Sequence, residues 1–245
     1  MKENNIQKLT LKAQELMHSS SDPIHDIRHV ERVVTNVQKL SKELRVHTRE
    51  RQALELSAWW HDVGRTVTQK PSFVWMLFLD DIISAFALLL YTLRYGILFN
   101  GVVSIAIRII LCKSLGTGAL LTRILLRKKT RTLLNILKDA DSLDVLHVER
   151  FETMRYLSQT SFKNEWAFRL LIWLNFHTSV LTMKTKVAQK YVEEILEELI
   201  DWVQQHEIYL WHVKQFGEEW VEKTIKNLMR LLDEIHLSNI QYKWS

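Results

Sequence analysis

A histidine–aspartate doublet, His61-Asp62, lies downstream of His29 and upstream of Asp141 in this chain. These three separated segments together offer two imidazoles and two carboxylates. One divalent ion can be held by such a set, with coordination positions left open for water and a substrate. The residue types therefore indicate metal-assisted hydrolysis.

A divalent ion at this position would act on both water and phosphate. It would lower the pKa of a bound water from about 15.7 toward roughly 7 and would polarise a phosphoryl oxygen, so hydrolysis of a phosphoester is expected. Mixed nitrogen and oxygen ligation suits manganese, iron, cobalt, nickel or zinc better than calcium. One ion of this group, or magnesium, is the expected cofactor, and the sequence does not choose among them.

Three further side chains could contact a substrate phosphate. His25 precedes His29 by four residues, where we expect both on one helical face, so it could orient that ligand or touch phosphate. Arg32 and Arg65 carry guanidinium groups, which make paired hydrogen bonds to phosphate oxygens. The structural alternatives are capping or packing for His25 and a solvated surface position for each arginine.

A carboxylate downstream of the doublet could also take part in the chemistry. Asp144 follows Asp141 by three residues and would share its helical face. It could bind a sugar hydroxyl or donate a proton to the reaction. Capping of a helix that begins at this residue is an equally good interpretation.

The segments around these residues resemble those of the HD-domain metal-dependent phosphohydrolases. That family has a His in an H-x-x-R-V segment, a His-Asp doublet that ends a later helix, and a distal Asp in a D-A-D-x-L-D-like segment. The matching stretches here are residues 25–33 (HDIRHVERV), 61–62 (HD) and 138–144 (KDADSLD). Residues 183–188 (MKTKVA) are similar to an M-x-T-x-x-A stretch that follows the last ligand. The chain is most similar to the small all-helical bacterial branch, whose members hydrolyse nucleotides.

The resemblance implies a fold, a ligand set and a substrate class. The fold would be an all-α HD-domain helical bundle. The metal ligands would be His29, His61, Asp62 and Asp141, with Asp62 also a catalytic residue. The substrate would be a nucleotide or another small phosphoester.

The chain departs from the family pattern after the doublet. Related enzymes often have a His-Glu pair followed by Ser-Ala, and then another His near the end of the next helix. Residues 80–85 (DDIISA) stand at the first position, and Cys112 or its neighbours stand at the second. A one-metal site therefore fits better than a two-metal site, with Asp81 or Asp80 as the substitute base.

The positions of the helices follow from apolar spacing and from the scarcity of breakers. Two prolines and six glycines leave few interruptions, and apolar residues recur mostly at helical spacing. We expect Asp22-Pro23 to open a helix that runs to about Arg45, and Thr48 to cap a helix that ends just before Gly64. The other predicted helices cover residues 5–18, 144–158, 163–179, 183–205 and 209–237.

We interpret residues 1–245 as a single HD-type domain, with two domains as the alternative. Residues 72–130 would form an apolar, basic helical insertion, and residues 144–245 would supply helices that pack on the core. Within 72–126, residues 73–79 and 85–93 are almost continuously apolar, but charged residues keep each run below the roughly 18 residues of a membrane span. A helical hairpin is expected there, either buried in the protein or laid on a membrane surface.

The charges are distributed unevenly. Residues 1–81 carry 12 basic and 11 acidic side chains, residues 82–138 carry 9 basic and none acidic, and residues 139–245 carry 12 basic and 17 acidic. The basic segment could meet phosphates, an anionic membrane or the acidic part of the same chain. Nucleic acid is a weaker expectation, because aliphatic residues replace the aromatic ones that would stack on bases.

The remaining features concern the compartment and the rival function. A single cysteine excludes an internal disulfide framework, and the N-terminal residues have no apolar signal segment, so a cytoplasmic protein is expected. The rival is a non-catalytic or regulatory HD-fold protein that binds a membrane surface or a protein partner, including a second copy of itself, through residues 72–126. The four-ligand set favours the enzyme, and the unusual apolar segment favours the rival.

Overall fold

The structure, a computed structural model, describes residues 2–67, 79–97, 100–114, 118–177 and 183–243. Within these residues the chain forms twelve α-helices, one 3-10 helix and no strand, which confirms the predicted all-α fold. None of the described helices is both long enough and apolar enough to cross a membrane. The chain divides into two compact units, residues 1–141 and 142–245, and the single-domain interpretation stays a prediction.

The first seven α-helices and the 3-10 helix are α1 (Lys2–His18), α2 (Ile27–Glu43), α3 (Thr48–Trp60), the 3-10 helix (Val63–Val67), α4 (Asp80–Arg94), α5 (Gly101–Lys113), α6 (Gly118–Leu125) and α7 (Lys128–Val145). The first unit is built around α3, which packs on α1, α2 and α5. Helix α4 packs on α5 and on the 3-10 helix. The C-terminal end of α7 belongs to the second unit.

Helix α2 begins later than the sequence predicted. Its N-cap is Asp26, whose Oδ1 accepts the backbone N–H of His29 at 3.0 Å and satisfies a donor that has no partner inside the helix. Asp22-Pro23 does not open the helix, because Asp22 Oδ1 accepts two backbone amides of the turn that precedes it. His25 lies in that turn, so the prediction that it shares a helical face with His29 is wrong.

Helix α3 ends at the doublet, as predicted. His61 is its C-cap residue and the 3-10 helix follows directly. The fully buried Trp60 fixes this end, since its indole N–H donates to the carbonyl oxygen of Leu9 in α1 at 3.1 Å. At the other end, Thr48 is the first helical residue, and His47 occupies the cap position without a side-chain hydrogen bond.

Gly64 allows the start of α4 to lie against the doublet. Its backbone N–H donates to Ser84 Oγ at 2.8 Å. A Cβ at this position would lie 2.5 Å from the carbonyl oxygen of Asp80, which is closer than van der Waals contact permits. Glycine therefore brings Asp80 and Asp81 next to His61-Asp62.

The apolar segment is partly core and partly surface. It contains α4, α5 and α6, while residues 72–78, 98–99 and 115–117 lie outside the described residues. Helix α5 is largely buried and packs on α3 and α4. Helix α4 and the residue before it carry an exposed apolar stripe, formed by Leu79, Phe86, Leu90 and Leu93.

The second unit has an aromatic core. Phe151, Phe168, Trp202, His212 and Phe216 lie with ring centroids 5.7–6.4 Å apart in the contacting pairs. Its helices are α8 (Val148–Ser158), α9 (Phe162–His177), α10 (Lys186–Gln204), α11 (His206–Phe216) and α12 (Glu218–Lys243). Helix α12 packs on α9, α10 and α11 around the aromatic core.

Two predicted helices of this unit have different boundaries in the structure. The predicted helix over 209–237 is two helices, because Gly217 adopts φ +85° between α11 and α12 and ends the first of them. The predicted start at residue 144 is wrong, because Asp144 lies in the last turn of α7 and α8 begins at Val148. Asp144 is therefore not an N-cap.

Candidate metal centre

The structure brings the predicted ligands together from α2, the end of α3, and α7. Nε2 of His29 lies 3.3 Å from Nε2 of His61. Asp141 Oδ1 lies 3.6 Å from the first of these nitrogens and 3.9 Å from the second. The donor atoms of His29, His61 and Asp141 all lie within 4.8 Å of one another, so this group could hold a metal ion.

Asp62 adds a second carboxylate to the histidine pair. Its Oδ2 lies 3.1 Å from Nε2 of His29 and 3.5 Å from Nε2 of His61. Because each bond from nitrogen or oxygen to such an ion is about 2.0–2.2 Å, two ligands of one ion are at most about 4.4 Å apart. The distances of both carboxylates to the histidines fall below that limit, and Asp62 stays the predicted fourth ligand.

The tautomer of His61 suits metal binding. Its Nδ1–H donates to the carbonyl oxygen of Ala58 at 2.7 Å, which leaves a lone pair on Nε2, the atom that faces His29. Burial lowers the pKa of His61 and so favours the neutral ring. Two imidazoles and carboxylate oxygens, buried together, form a donor set that fits a divalent transition ion.

The carboxylates of the group are held in the ionised form. Burial acts to raise the pKa of Asp62, but His61 and a hydrogen bond from His29 outweigh it and hold that pKa well below its usual range. Burial acts in the same direction on Asp141, where the ammonium of Lys113 and the two imidazoles outweigh it and lower the pKa. Ionised carboxylates are the form that binds a cation.

Lys113, at the end of α5, is a site residue that the sequence analysis did not identify. Its Nζ lies 3.0 Å from Asp141 Oδ2 and 3.5 Å from Asp81 Oδ1. Burial acts to lower the pKa of Lys113, but Asp141 and Asp81 outweigh it and raise the pKa, so the ammonium stays charged. The sequence did contain a signal that could have identified Lys113. This lysine directly follows the apolar residues 109–112, inside a segment with no acidic residue to pair with it.

Asp81 and Asp80, the two alternatives for a base, have different partners. Asp80 Oδ2 accepts from Arg65 Nη2 at 2.7 Å. Asp81 faces Lys113, and burial, together with Asp80 and other nearby carboxylates, raises the pKa of Asp81 to about 7 despite that ammonium. Of the two carboxylates beside Lys113, Asp141 is thus the ionised partner and Asp81 is the one able to take up or release a proton near neutral pH.

Arg65 is buried among carboxylates. Besides its contact with Asp80, Nη1 lies 3.5 Å from Asp22 Oδ2 and Nε lies 3.8 Å from Asp62 Oδ1. Burial acts to lower the pKa of Arg65, and these carboxylates outweigh it and raise the pKa. Arg65 therefore ties the doublet to the start of α4, and its predicted role in binding phosphate stays a prediction.

His25 lies beside the predicted ligand His29, but outside helix α2. Its ring meets the ring of His29 edge to face, with centroids 5.5 Å apart and an interplanar angle of 85°. Its Nδ1 lies 3.1 Å from Asp22 Oδ2, the oxygen that also approaches Arg65. Arg32, the other predicted phosphate ligand, is half-buried on α2 one turn after His29.

Asp144 belongs to the second unit. It is buried, and its Oδ2 accepts from Arg150 Nη1 at 2.6 Å. This pairing gives Asp144 a structural partner within its own unit. Its predicted contact with a sugar hydroxyl or a leaving group stays a prediction.

The donor group has a closed side and an open edge. The side chains of His29 and His61 are 0% exposed and that of Asp62 is 4% exposed. The side chain of Asp141 is 24% exposed and that of Lys113 is 14% exposed. Within the described part of the first unit, water or a substrate therefore reaches the group along the edge formed by Asp141 and Lys113.

Comparison of the chain with protein-family models, with curated proteins and with solved structures gave no match. The resemblance of residues 25–33, 61–62 and 138–144 to the HD-domain phosphohydrolases stays a prediction. The structure contributes a group of two buried histidines and a partly exposed aspartate, with donor atoms at distances that one ion can span.

Proposed function

We propose that this chain is a metal-dependent phosphohydrolase of the HD type, acting on a nucleotide or another small phosphoester. The convergence of His29, His61 and Asp141 donor atoms within 4.8 Å of one another is the observation that supports this most strongly. When bound, a divalent ion supplies a Lewis acid and lowers the pKa of water. The position of this group at a partly open edge supports hydrolysis of a substrate that enters from solvent.

The protein prepares the site in three ways. The Ala58 carbonyl fixes the tautomer of His61, so that Nε2 is available as a ligand. Asp62 and Asp141 bring two negative charges that balance a dication. Arg65 Nε lies 3.8 Å from Asp62 Oδ1 and places a positive charge beside this carboxylate.

We assign the transfer of a proton to Asp81. It is buried at the start of α4, next to Lys113, and its pKa is raised to about 7 chiefly by burial. A general base works best when its pKa lies near the working pH. In the proposed reaction Asp81 accepts the proton of the attacking water at a carboxylate oxygen.

A phosphohydrolase screen of metal-reconstituted protein tests the proposal. Nucleotides and generic phosphoesters are offered to the wild type, to Asp62→Ala and to a control variant, Asp201→Ala, which removes an exposed carboxylate of α10. We expect hydrolysis by the wild type and the control, and at least a roughly 100-fold loss in Asp62→Ala, because even residues that only orient ligands are worth 10–100-fold. Circular dichroism should show an unchanged helical content.

Chelation completes this test. Removal of the ion should abolish hydrolysis, and its return should restore hydrolysis. Activity that persists in Asp62→Ala and after chelation would mean that a different site does the chemistry. A wild type that binds an ion but hydrolyses none of the phosphoesters would favour the second candidate function.

The second candidate is a binding role for the apolar segment, and the exposed stripe on α4 favours it. Phe86, Leu90 and Leu93 are 45–63% exposed and recur at helical spacing, and Arg94 beside them is also exposed. Residues 82–138 carry nine basic and no acidic side chains. Apolar side chains flanked by cations suit peripheral attachment to an anionic membrane.

Vesicle co-sedimentation and light scattering test this second role. We expect the protein to sediment with anionic vesicles at low salt, and Leu90→Glu to weaken this attachment. The control is Leu210→Glu, which places the same charge at an exposed leucine of α11. A monomer that does not sediment with anionic vesicles at low salt would contradict membrane attachment. A concentration-dependent dimer in light scattering that is lost in Leu90→Glu would instead assign the exposed stripe to contact between two copies of the chain.

A further inference from the structure

We propose that Lys113 binds the phosphoryl group of the substrate as a second cation of the site. This inference rests on the proposed phosphohydrolase function and deepens it. It assigns the recognition of phosphate to a side chain that lies 32 residues after Asp81 along the chain but beside it in the fold.

The two oxygens of Asp141 have different neighbours. Oδ1 faces the histidines, at 3.6 Å from Nε2 of His29 and 3.9 Å from Nε2 of His61. Oδ2 faces Lys113, with Nζ at 3.0 Å. One carboxylate therefore separates the ammonium from the point on which the histidines converge, and a phosphoryl group bound beside an ion at that point would bring an oxygen within reach of Nζ.

The ammonium of Lys113 can donate a hydrogen bond to a phosphate oxygen. Lysine carries three N–H donors, and among the described residues the contacts with Asp141 and Asp81 use two of them. The Asp81 contact, at 3.5 Å, is at the outer limit of hydrogen-bond distance, so it can give way to a better acceptor. A phosphate oxygen is such an acceptor, since hydrogen bonds between two charged groups are shorter and stronger than neutral ones.

The position of Lys113 also fits an entering substrate. The histidines are closed off, and the partly exposed edge of the donor group consists of Asp141 and Lys113. Arg65, the other buried cation described near this group, contacts Asp22, Asp62 and Asp80. A phosphoester that reaches the donor group along this edge of the described residues meets Asp141 and the ammonium together.

A purely structural Lys113 would behave differently from a phosphate-binding one. If the ammonium only held Asp141 in place, its loss would weaken binding of the metal and of phosphate together. If it binds phosphate, its loss removes a positive charge beside a dication, so metal affinity stays equal or rises while phosphate affinity falls. The two roles therefore differ in the sign of the change in metal affinity.

Isothermal titration calorimetry distinguishes the structural role of Lys113 from the phosphate-binding role. It measures binding and does not require the protein to hydrolyse a substrate. Mn²⁺ is titrated into the wild type, Lys113→Met, Lys113→Gln and Lys113→Arg, and inorganic phosphate is then titrated into each Mn²⁺-loaded protein. The matched control is Lys129→Met, which removes a surface lysine of the same unit that pairs with Glu50 at 2.9 Å. Lys113→Gln keeps a polar side chain of similar reach without the charge, in case the methionine variant fails to fold.

We expect phosphate to bind Lys113→Met and Lys113→Gln about 10- to 100-fold more weakly than the wild type, the range for a lost hydrogen bond to a charged group. Mn²⁺ affinity should be equal or higher in both variants. Lys113→Arg should recover part of the phosphate affinity, and Lys129→Met should match the wild type.

Each other result overturns the inference. Unchanged phosphate affinity in the two neutral variants, alongside phosphoester hydrolysis by the wild type, would overturn the role of Lys113 and leave the proposed function standing. Weaker Mn²⁺ binding in those variants would restrict Lys113 to holding Asp141. A wild type that binds neither Mn²⁺ nor phosphate, or that binds Mn²⁺ but neither binds phosphate nor hydrolyses phosphoesters, would overturn both proposals.

Discussion

Nε2 of His29 lies 3.3 Å from Nε2 of His61, and neither ring is exposed to solvent. The Nδ1–H of His61 is already donated to the Ala58 carbonyl, so the His61 nitrogen in this pair is an acceptor. The two nitrogens can share one proton, or both can bind one cation. With Asp62 and Asp141 beside them, the second arrangement also balances the charge.

Binding of an ion should stabilise the protein, because the ligands converge only in the folded chain. At an ion concentration 100 times its dissociation constant, the free energy of unfolding should rise by about 2.7 kcal/mol. For a chain of this size the Tm should rise by about 5–11 °C. Thermal melts with and without Mn²⁺ measure the shift. A shift that survives in His61→Ala would place the binding elsewhere.

Arg65→Met should strongly destabilise the first unit. The substitution leaves the buried carboxylates of Asp22 and Asp80 without the cation between them, at a cost of about 3–5 kcal/mol. Arg94→Met, at an exposed position of α4, should change the free energy of unfolding by no more than about 0.5 kcal/mol. Urea unfolding followed by circular dichroism compares the two, and equal effects would contradict the described role of Arg65.

Gly64→Ala should displace α4 from the doublet. The added Cβ would meet the backbone carbonyl of Asp80 at 2.5 Å, and such overpacking costs about 1–3 kcal/mol. Gly96→Ala offers a comparison, since a Cβ there meets nothing within 4 Å and the cost, about 1–2 kcal/mol, comes only from its positive φ. Phosphoester hydrolysis should fall in Gly64→Ala and stay at the wild-type level in Gly96→Ala. Full activity in Gly64→Ala would show that the position of α4 does not matter to the site.

His212 should make the second unit less stable in acid. Burial lowers the pKa of this ring to about 4 from 6.5, so between these values the unfolded chain binds a proton that the folded chain does not. Stability from this group is therefore lost as the pH falls from about 6.5 toward 4, by roughly 3 kcal/mol in total. Unfolding of the wild type and of His212→Phe at pH 7 and pH 4 measures this loss, which should be smaller in the variant by that amount. Equal losses in the two proteins would contradict the prediction.

Local signals in the sequence predicted the all-α fold and the segments that meet at the donor group. Few prolines and glycines, helical spacing, and a glycine shortly after His61-Asp62 predict helices and the end of α3. The type and order of the donor residues then suggested one site. The helices could be predicted because each depends on residues close together along the chain, and the site could be predicted from the types and order of its donor residues.

Other contacts depend on how the helices pack, and the sequence did not reveal them. Lys113 reaches Asp81 and Asp141 only because α5 packs on α3 and α4. Asp22 and Asp26 both offer a carboxylate before α2, but Asp22 accepts from backbone amides of the preceding turn, whereas Asp26 accepts from the amide of His29 in the helix. Gly217 is a different case, since a glycine inside a predicted helix was a visible local signal.

Titration of the wild type and of His61→Ala with Mn²⁺, monitored by calorimetry and by electron paramagnetic resonance, tests the central claim most directly. The proposed site predicts one ion per chain in the wild type, with magnetic coupling to two imidazole nitrogens, and loss of that ion in His61→Ala. Control titrations of His206→Ala, at an exposed histidine of α11, should match the wild type. Absence of binding to the wild type, or binding that His61→Ala leaves unchanged, would contradict the claim that His29, His61, Asp62 and Asp141 form a metal centre.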